Sequence, residues 1–391
     1  MAANPLARTP LARLFRRYPV RPPDSGMSRR KSLWENLHLD PWLLALLLLL
    51  VGAGLLVLYS ASGQSGDTVT AQALRFGVAF AVMAVLAQFS PATFFRWAPL
   101  AYGAGVAMLI AVELVGDIGM GAQRWLEIPG VVRFQPSEMM KLATPLMVAA
   151  YLGRTGIPPR LRHLAVCALI IGLPVVLIAK QPDLGTSILV ASAALIVVLL
   201  AGLSWRLIGM FVLLAGAALP LLWINLQNYQ RQRVLTFLNP ESDPLGAGWN
   251  IIQSTTAIGS GGIWGKGWFQ GTQSQLEFLP EPHTDFIIAV LGEEFGLVGM
   301  TALLALYLVI VCRGLWLAAG AQDTFGRLVA GSIILTFFIY VFVNVGMVSG
   351  ILPVVGVPLP LISYGGTSSV TLLAGFGILM SIHAHRRLLP R

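Results

Sequence analysis

Residues 271–296, GTQSQLEFLPEPHTDFIIAVLGEEFG, decide how this chain is read. A polar, proline-containing loop ends in Pro282-His283-Thr284-Asp285 and passes without a spacer into the apolar run Phe286 to Leu291. The junction predicts a membrane-entering helix with Asp285 at its head, where water meets lipid. A carboxylate in that position is partly desolvated yet reaches a water-borne hydroxyl, which suits a general base. The plainer reading makes Asp285 a helix N-terminal acid, satisfied by free backbone N–H groups and favoured by the helix dipole.

Composition fixes the class. The chain has 391 residues, 56% hydrophobic and 11% charged, with a mean hydropathy of +0.76. Soluble domains carry about 25% charged residues. The fold class is therefore an all-α polytopic membrane protein. The net charge of +9 is a topology signal before it is anything else, and it does not point to nucleic acid. Cys167 and Cys312 lie in apolar runs and read as small packed side chains.

A membrane span needs about 20 apolar residues. Ten segments qualify: roughly 41–60, 71–89, 95–115, 137–152, 164–180, 184–202, 206–226, 285–312, 326–348 and 367–384. The fourth is short and carries charge. Ten spans put both termini on one side. Eight Lys/Arg in the N-terminal tail and ten further along the chain, eighteen of 26, then share one face. The excess of Lys/Arg makes that face cytoplasmic. Residues 1–40 read as a disordered basic tail and 41–391 as one integral-membrane domain. The tail lacks the pattern of a cleaved signal peptide, and residues 1–26 are expected to be dispensable. The long loop 227–284, between spans seven and eight, and the loops 116–136 and 349–366 face outward with Asp285.

In loop 227–284, Trp249, Ile251, Ile252 and Ile258 suit a short amphipathic helix lying on the interface, and Trp264 and Trp268 suit membrane-surface anchors. The GKGW there lacks the ending of a phosphate loop. Residues 349–366 are apolar, broken by prolines, and end in a polar glycine turn. Such backbone is tolerated at membrane depth only where protein or a water-filled cavity covers it, so this reads as a re-entrant loop lining a cavity.

Ionisable residues in spans cost about 2.5–3.5 kcal/mol on insertion scales and so have a job or a partner. Glu138 and Lys141, three apart, share a face of span four and are expected to pair. Lys180 and Asp183 are expected to form a second pair at the break between spans five and six. Structural ion pairing explains each alone; their convergence with Asp285 on one leaflet favours a site. His283 reads as a local hydrogen-bond partner. No Cys/His cluster or HExxH indicates zinc, and no Gly-x-Ser-x-Gly elbow indicates a serine hydrolase.

FQPSEMMKLA, KQPDLGTS, the 271–296 stretch and MVSGILPVVGVPLPLISYGGTS together resemble the SEDS family (shape, elongation, division and sporulation), its elongation branch more than its division branch. The likeness runs from about residue 34 to the end. It implies a peptidoglycan glycosyltransferase that polymerises lipid II on the outer face of the inner membrane. Asp285 matches the family's catalytic aspartate, and Glu138, Lys141, Lys180 and Asp183 match its polar cavity residues. Gln275, His283, Ser363 and Tyr364 stand in the resembling motifs, and loop assignment adds Arg124 and Arg133; these complete the candidate substrate-binding set. Implied partners are an undecaprenyl-diphosphate-linked glycan strand, a class B penicillin-binding protein, MreC and MreD, and membrane lipid.

A diphosphate is a good leaving group and needs cations rather than a proton, so one base suffices where glycoside hydrolysis needs two carboxylates. Arg124, Arg133, Lys141, Lys180, Arg231 and Arg233 supply cations within reach of the outer loops. A divalent cation such as Mg2+, held by Glu138 and Asp183, is a further candidate for sharing that charge, although no motif demands a metal. The rival classes are a lipid II flippase or other transporter, for which intramembrane charge also speaks, and a scaffold that recruits the transpeptidase.

Overall fold

Each of the ten apolar segments is helical in a computed structural model, which describes residues 37–119, 122–128, 132–225, 228–243, 247–275, 279 and 282–385. Expectations for the basic tail, the dispensability of residues 1–26 among them, lie outside the described residues up to position 36. Among the described residues seven helices precede the long loop: α1 Pro41–Ala61, α2 Gly66–Gln88, α3 Pro91–Val115, α4 Pro136–Thr155, α5 Leu161–Lys180, α6 Leu184–Leu200 and α7 Trp205–Asn225. Within the loop lie α8 Asn228–Leu238, α9 Ala247–Ser260 and the single turn α10 Thr272–Gln275. After it come α11 Ile287–Ala319, α12 Thr324–Val348 and α13 Gly366–Ala384.

Local chemistry sets the helix starts. Proline opens α1, α3 and α4, where a missing N–H costs nothing. Asp40, Asp183 and Asp323 cap α1, α6 and α12 by accepting backbone N–H groups of Leu43, Thr186 and Gly326. Seven of the described helices (α1, α2, α3, α5, α11, α12 and α13) are long and apolar enough to cross a membrane. The remaining predicted spans are α6 and the Trp205–Ala218 part of α7, which are apolar but shorter, and α4, which carries Glu138, Lys141 and Arg154.

Residues 116–136 correct the all-α expectation. They form a small antiparallel sheet of β1 Asp117–Gly119, β2 Ala122–Ile128 and β3 Val132–Phe134, in that order, with Glu127 opposite Arg133. Pairing of the segment with itself satisfies backbone groups of its strands. The molecule is mostly helical.

α13 lies along α2 so closely that a Cβ on Gly377 would come within 2.5 Å of the Met83 carbonyl oxygen. α4 packs between α3 and α6, and α11 packs on α12 and α1. The apolar run after Asp285 is covered by protein: Ile287 to Leu291 are all buried. α11 then breaks at Gly296, whose φ of 63° favours glycine. Beyond the break, residues 297–319 are about 35 Å long, enough to cross a ~30 Å hydrocarbon core unaided.

At the break, four backbone groups of α11 pair with the stretch 262–267. Lys266 and Gly267 N–H donate to the carbonyls of Glu293 and Glu294, while Leu297 and Val298 N–H donate to those of Gly262 and Ile263, each at 3.0–3.1 Å. Glu293, fully buried, reinforces the clasp by pairing with Lys266 at 2.7 Å and accepting from Thr272 and the Gln273 N–H. α9 forms where an amphipathic helix was expected, but Ile251 is buried, Ser254 donates to the Val348 carbonyl, and Ile258 packs near Gly292. This face docks on protein rather than on lipid. Trp264 and Trp268 are exposed.

Candidate active site

Two irregular segments meet beside Asp285. Tyr364 N–H donates to the His283 carbonyl at 2.9 Å, and Ser363 Oγ donates to the Thr284 carbonyl while accepting from Leu359 N–H. Asn344 of α12 donates from Nδ2 to the carbonyls of Asp285 (2.9 Å) and Val357 (2.7 Å). Tyr307 donates to the Pro360 carbonyl. Residues 353–365 are thus a non-helical loop, exposed at Gly356 and buried from Leu359 to Ser363, several of whose carbonyls are met by side chains.

Asp285 is half-buried. It stands one residue outside α11: the N-cap position belongs to Phe286, and no side chain caps there. Asp285 Oδ2 is 3.4 Å from where a Cβ on Gly356 would stand, so the carboxylate rests against bare loop backbone. The other side of that loop presses on α6, since a Cβ on Gly185 would lie 2.9 Å from the Val355 carbonyl oxygen. Residues 355–357 therefore separate Asp285 from the head of α6.

The α6 head carries Asp183. Its carboxylate caps α6 and accepts from Gln135 Nε2 at 3.1 Å, which ties the heads of α4 and α6 together. One helical turn into α4, Lys141 Nζ and Glu138 Oε1 are 2.5 Å apart, both buried, with Lys141 also 5.2 Å over the Tyr340 ring. Glu138 Oε2 is buried without a hydrogen-bond partner among the described residues, an unused acceptor at the site. Tyr340 packs with Leu189 and Val357, which closes the circuit back to Asn344 and Asp285.

The expected pair of Lys180 with Asp183 does not form. α5 ends at Lys180, so three-residue spacing no longer means a shared face. Lys180 instead points outward to Glu113 at 4.0 Å, both exposed. Arg124 is spent on the same break, donating to the carbonyls of Gln181 and Pro182. Arg231 donates to the carbonyls of Trp223 and Ile224 at the end of α7. The side chains of Arg133, Arg233 and Gln275 lie outside what is described. The carboxylates expected for a divalent cation are engaged by Lys141, Gln135 and the start of α6, and the described residues hold no group of three or more His, Cys, Asp or Glu suited to a metal.

Several site residues were not anticipated. Arg75 of α2 lies 4.5 Å over the Tyr364 ring, beside Gln72, which exchanges hydrogen bonds with Gly365. Arg75 brings a cation to the loop that holds Asp285. Its signal was a lone arginine inside an apolar segment, as Asn344 was a lone amide.

The family model described as "Cell cycle protein", that of FtsW, RodA and SpoVE, matches residues 41–388. The chain belongs to this family. Among its relatives, the peptidoglycan glycosyltransferase MrdB of Escherichia coli (strain K12) is 56% identical over 363 residues, covering 93% of this chain and 98% of that one. The peptidoglycan glycosyltransferase RodA of Treponema pallidum is 32% identical, covering 89% and 98%. In structure, the chain superposes on a component of a peptidoglycan synthase complex that coordinates polymerization and crosslinking, with a TM-score of 0.77, 33% identity and coverage of 89% and 98%. It also superposes on the rod shape determining protein RodA of Thermus thermophilus, with a TM-score of 0.66, 30% identity and coverage of 88% and 96%.

Proposed function

We propose that this FtsW/RodA/SpoVE family member is a peptidoglycan glycosyltransferase that polymerises lipid II on the outer face of the inner membrane, with Asp285 as general base. The observation that carries the reading is the setting of Asp285: half-buried, outside the helix it precedes, its carboxylate against glycine backbone. In the reaction, the 4-hydroxyl of the acceptor GlcNAc gives its proton to Asp285 as its oxygen attacks the anomeric carbon of the donor strand. The bond from that carbon to the diphosphate breaks, undecaprenyl diphosphate leaves, and the α linkage becomes β. General-base assistance of this kind is worth about 10²–10⁴-fold.

The leaving diphosphate needs positive charge. Lys180 is exposed and engaged only across 4.0 Å, so an anionic headgroup can recruit it; Arg75 supplies a second cation by the Tyr364 loop. Lys141 is committed to Glu138, which makes that pair a wall of the site, with the unused Glu138 oxygen as an acceptor for a sugar hydroxyl or amide. In this reading ten spans with both termini cytoplasmic, favoured by the distribution of Lys and Arg, leave Asp285 and these cations facing the periplasm. The chain works with a class B penicillin-binding protein and, in the elongation machinery, MreC and MreD. This reading is favoured over a flippase because the polar groups gather at helix ends and loops rather than at a midplane between repeats.

The test is polymerisation of labelled lipid II by the purified chain, with and without a class B penicillin-binding protein, beside a transbilayer lipid II transport assay. Glycan polymer is expected. Transport without polymer under both conditions would overturn the assignment.

A further inference from the structure

Asn344 stands one turn before the C-terminal end of α12 at Val348, fully buried, among residues that are otherwise mostly apolar. Asparagine is a weak helix former, and a polar side chain at such a place is costly unless it is used. Both hydrogens of its amide nitrogen are used, one on the Asp285 carbonyl and one on the Val357 carbonyl. Its oxygen is buried and has no partner among the described residues. The amide is therefore held there for its donors.

Those donors join two segments that no regular structure connects. Asp285 precedes α11, and Val357 belongs to the loop after α12. Next to Val357 in the chain is Gly356, with a φ of 74°, whose bare Cα faces Asp285 Oδ2. The nitrogen of Asn344 thus sets how far the Asp285 backbone stands from the surface that supports its carboxylate.

We propose that Asn344 is a positioning residue for the glycosyl transfer: it fixes the Asp285 carboxylate in register with the 355–357 loop, without touching substrate. The proposal rests on the reading of Asp285 as the base. Losing the amide donors leaves the helix intact and lets the carboxylate drift. A misplacement of about 1 Å at a reacting group can cost on the order of 10²-fold in rate.

The experiment uses the full chain in lipid nanodiscs with labelled lipid II, and measures kcat, KM and lipid II binding for Asn344→Asp, Asn344→Ala, Asn344→Ser and Asp285→Asn. Rates are referred to the folded fraction, so that a variant that merely folds poorly reads as wild type. In its ionised form Asn344→Asp keeps the shape, removes both donors and sets a negative charge against the two carbonyls. It and Asn344→Ala should lose about 10–100-fold in kcat with KM within about twofold, and Asn344→Ser, with one donor, should recover part of the loss. If Asn344→Ala or Asn344→Asp does not fold, the serine variant carries the comparison. An inactive Asp285→Asn beside Asn344 variants of normal kcat would overturn the positioning role alone. An active Asp285→Asn would bring down the base reading, and the proposal with it.

Discussion

Two lysine–glutamate contacts, one at the head of α4 and one at the end of α5, use the same chemistry to opposite ends. Lys141 and Glu138 meet at 2.5 Å with 6% and 8% of their side chains exposed. Lys180 and Glu113 stand 4.0 Å apart with 62% and 45% exposed. In a buried setting the charges depend on each other, because removing either strands the other away from water. In an exposed setting solvent screens both, and either can be lent to a passing ligand. The first pair builds the wall; the second leaves a cation at the rim.

The largest effect should come from Lys141→Met. It leaves the Glu138 carboxylate buried with neither oxygen matched to a charge, at about 3–5 kcal/mol, and thermal unfolding in detergent should show a greatly lowered midpoint or no folded protein. Adding Glu138→Gln should restore much of that stability but not polymerisation. A Lys141→Met protein as stable as wild type would break the contrast.

Glu293→Gln tests an intermediate case, a buried acid with a partly exposed lysine. The hydrogen bonds to Thr272 and the Gln273 N–H weaken as the charge is lost, at about 1.5–3 kcal/mol. Protease cleavage between residues 262 and 273 should rise together with a lower unfolding midpoint; unchanged cleavage would mean that the backbone clasp at Gly296 holds by itself. The smallest effect belongs to Lys180→Met. Stability should move by no more than about 1 kcal/mol. KM for lipid II should rise, and the rise should shrink with added salt. A collapse of stability would place Lys180 with the buried pair after all.

The helical scaffold was legible in the sequence because each span is a long apolar run bounded by prolines, glycines or aspartate caps. Glu138 with Lys141 was legible too, since both lie on one continuous helix. Lys180 with Asp183 was misread because the helix ends between them and the same spacing then carries no direction. The three-stranded sheet left no signal in a short glycine-rich loop. Asn344, Arg75 and Glu293 were overlooked as single polar residues in apolar runs: their partners are distant in sequence, and only packing brings them together. The break at Gly296 is invisible for the same reason, as the run around it reads as one uninterrupted span.

The central claim is that Asp285 takes the acceptor's proton. The most direct measurement is the rate of lipid II polymerisation by Asp285→Asn at matched folding and matched lipid II binding. The account predicts a loss of about 10²-fold or more, with binding unchanged. Polymer formed at a rate near that of the parent chain would contradict it.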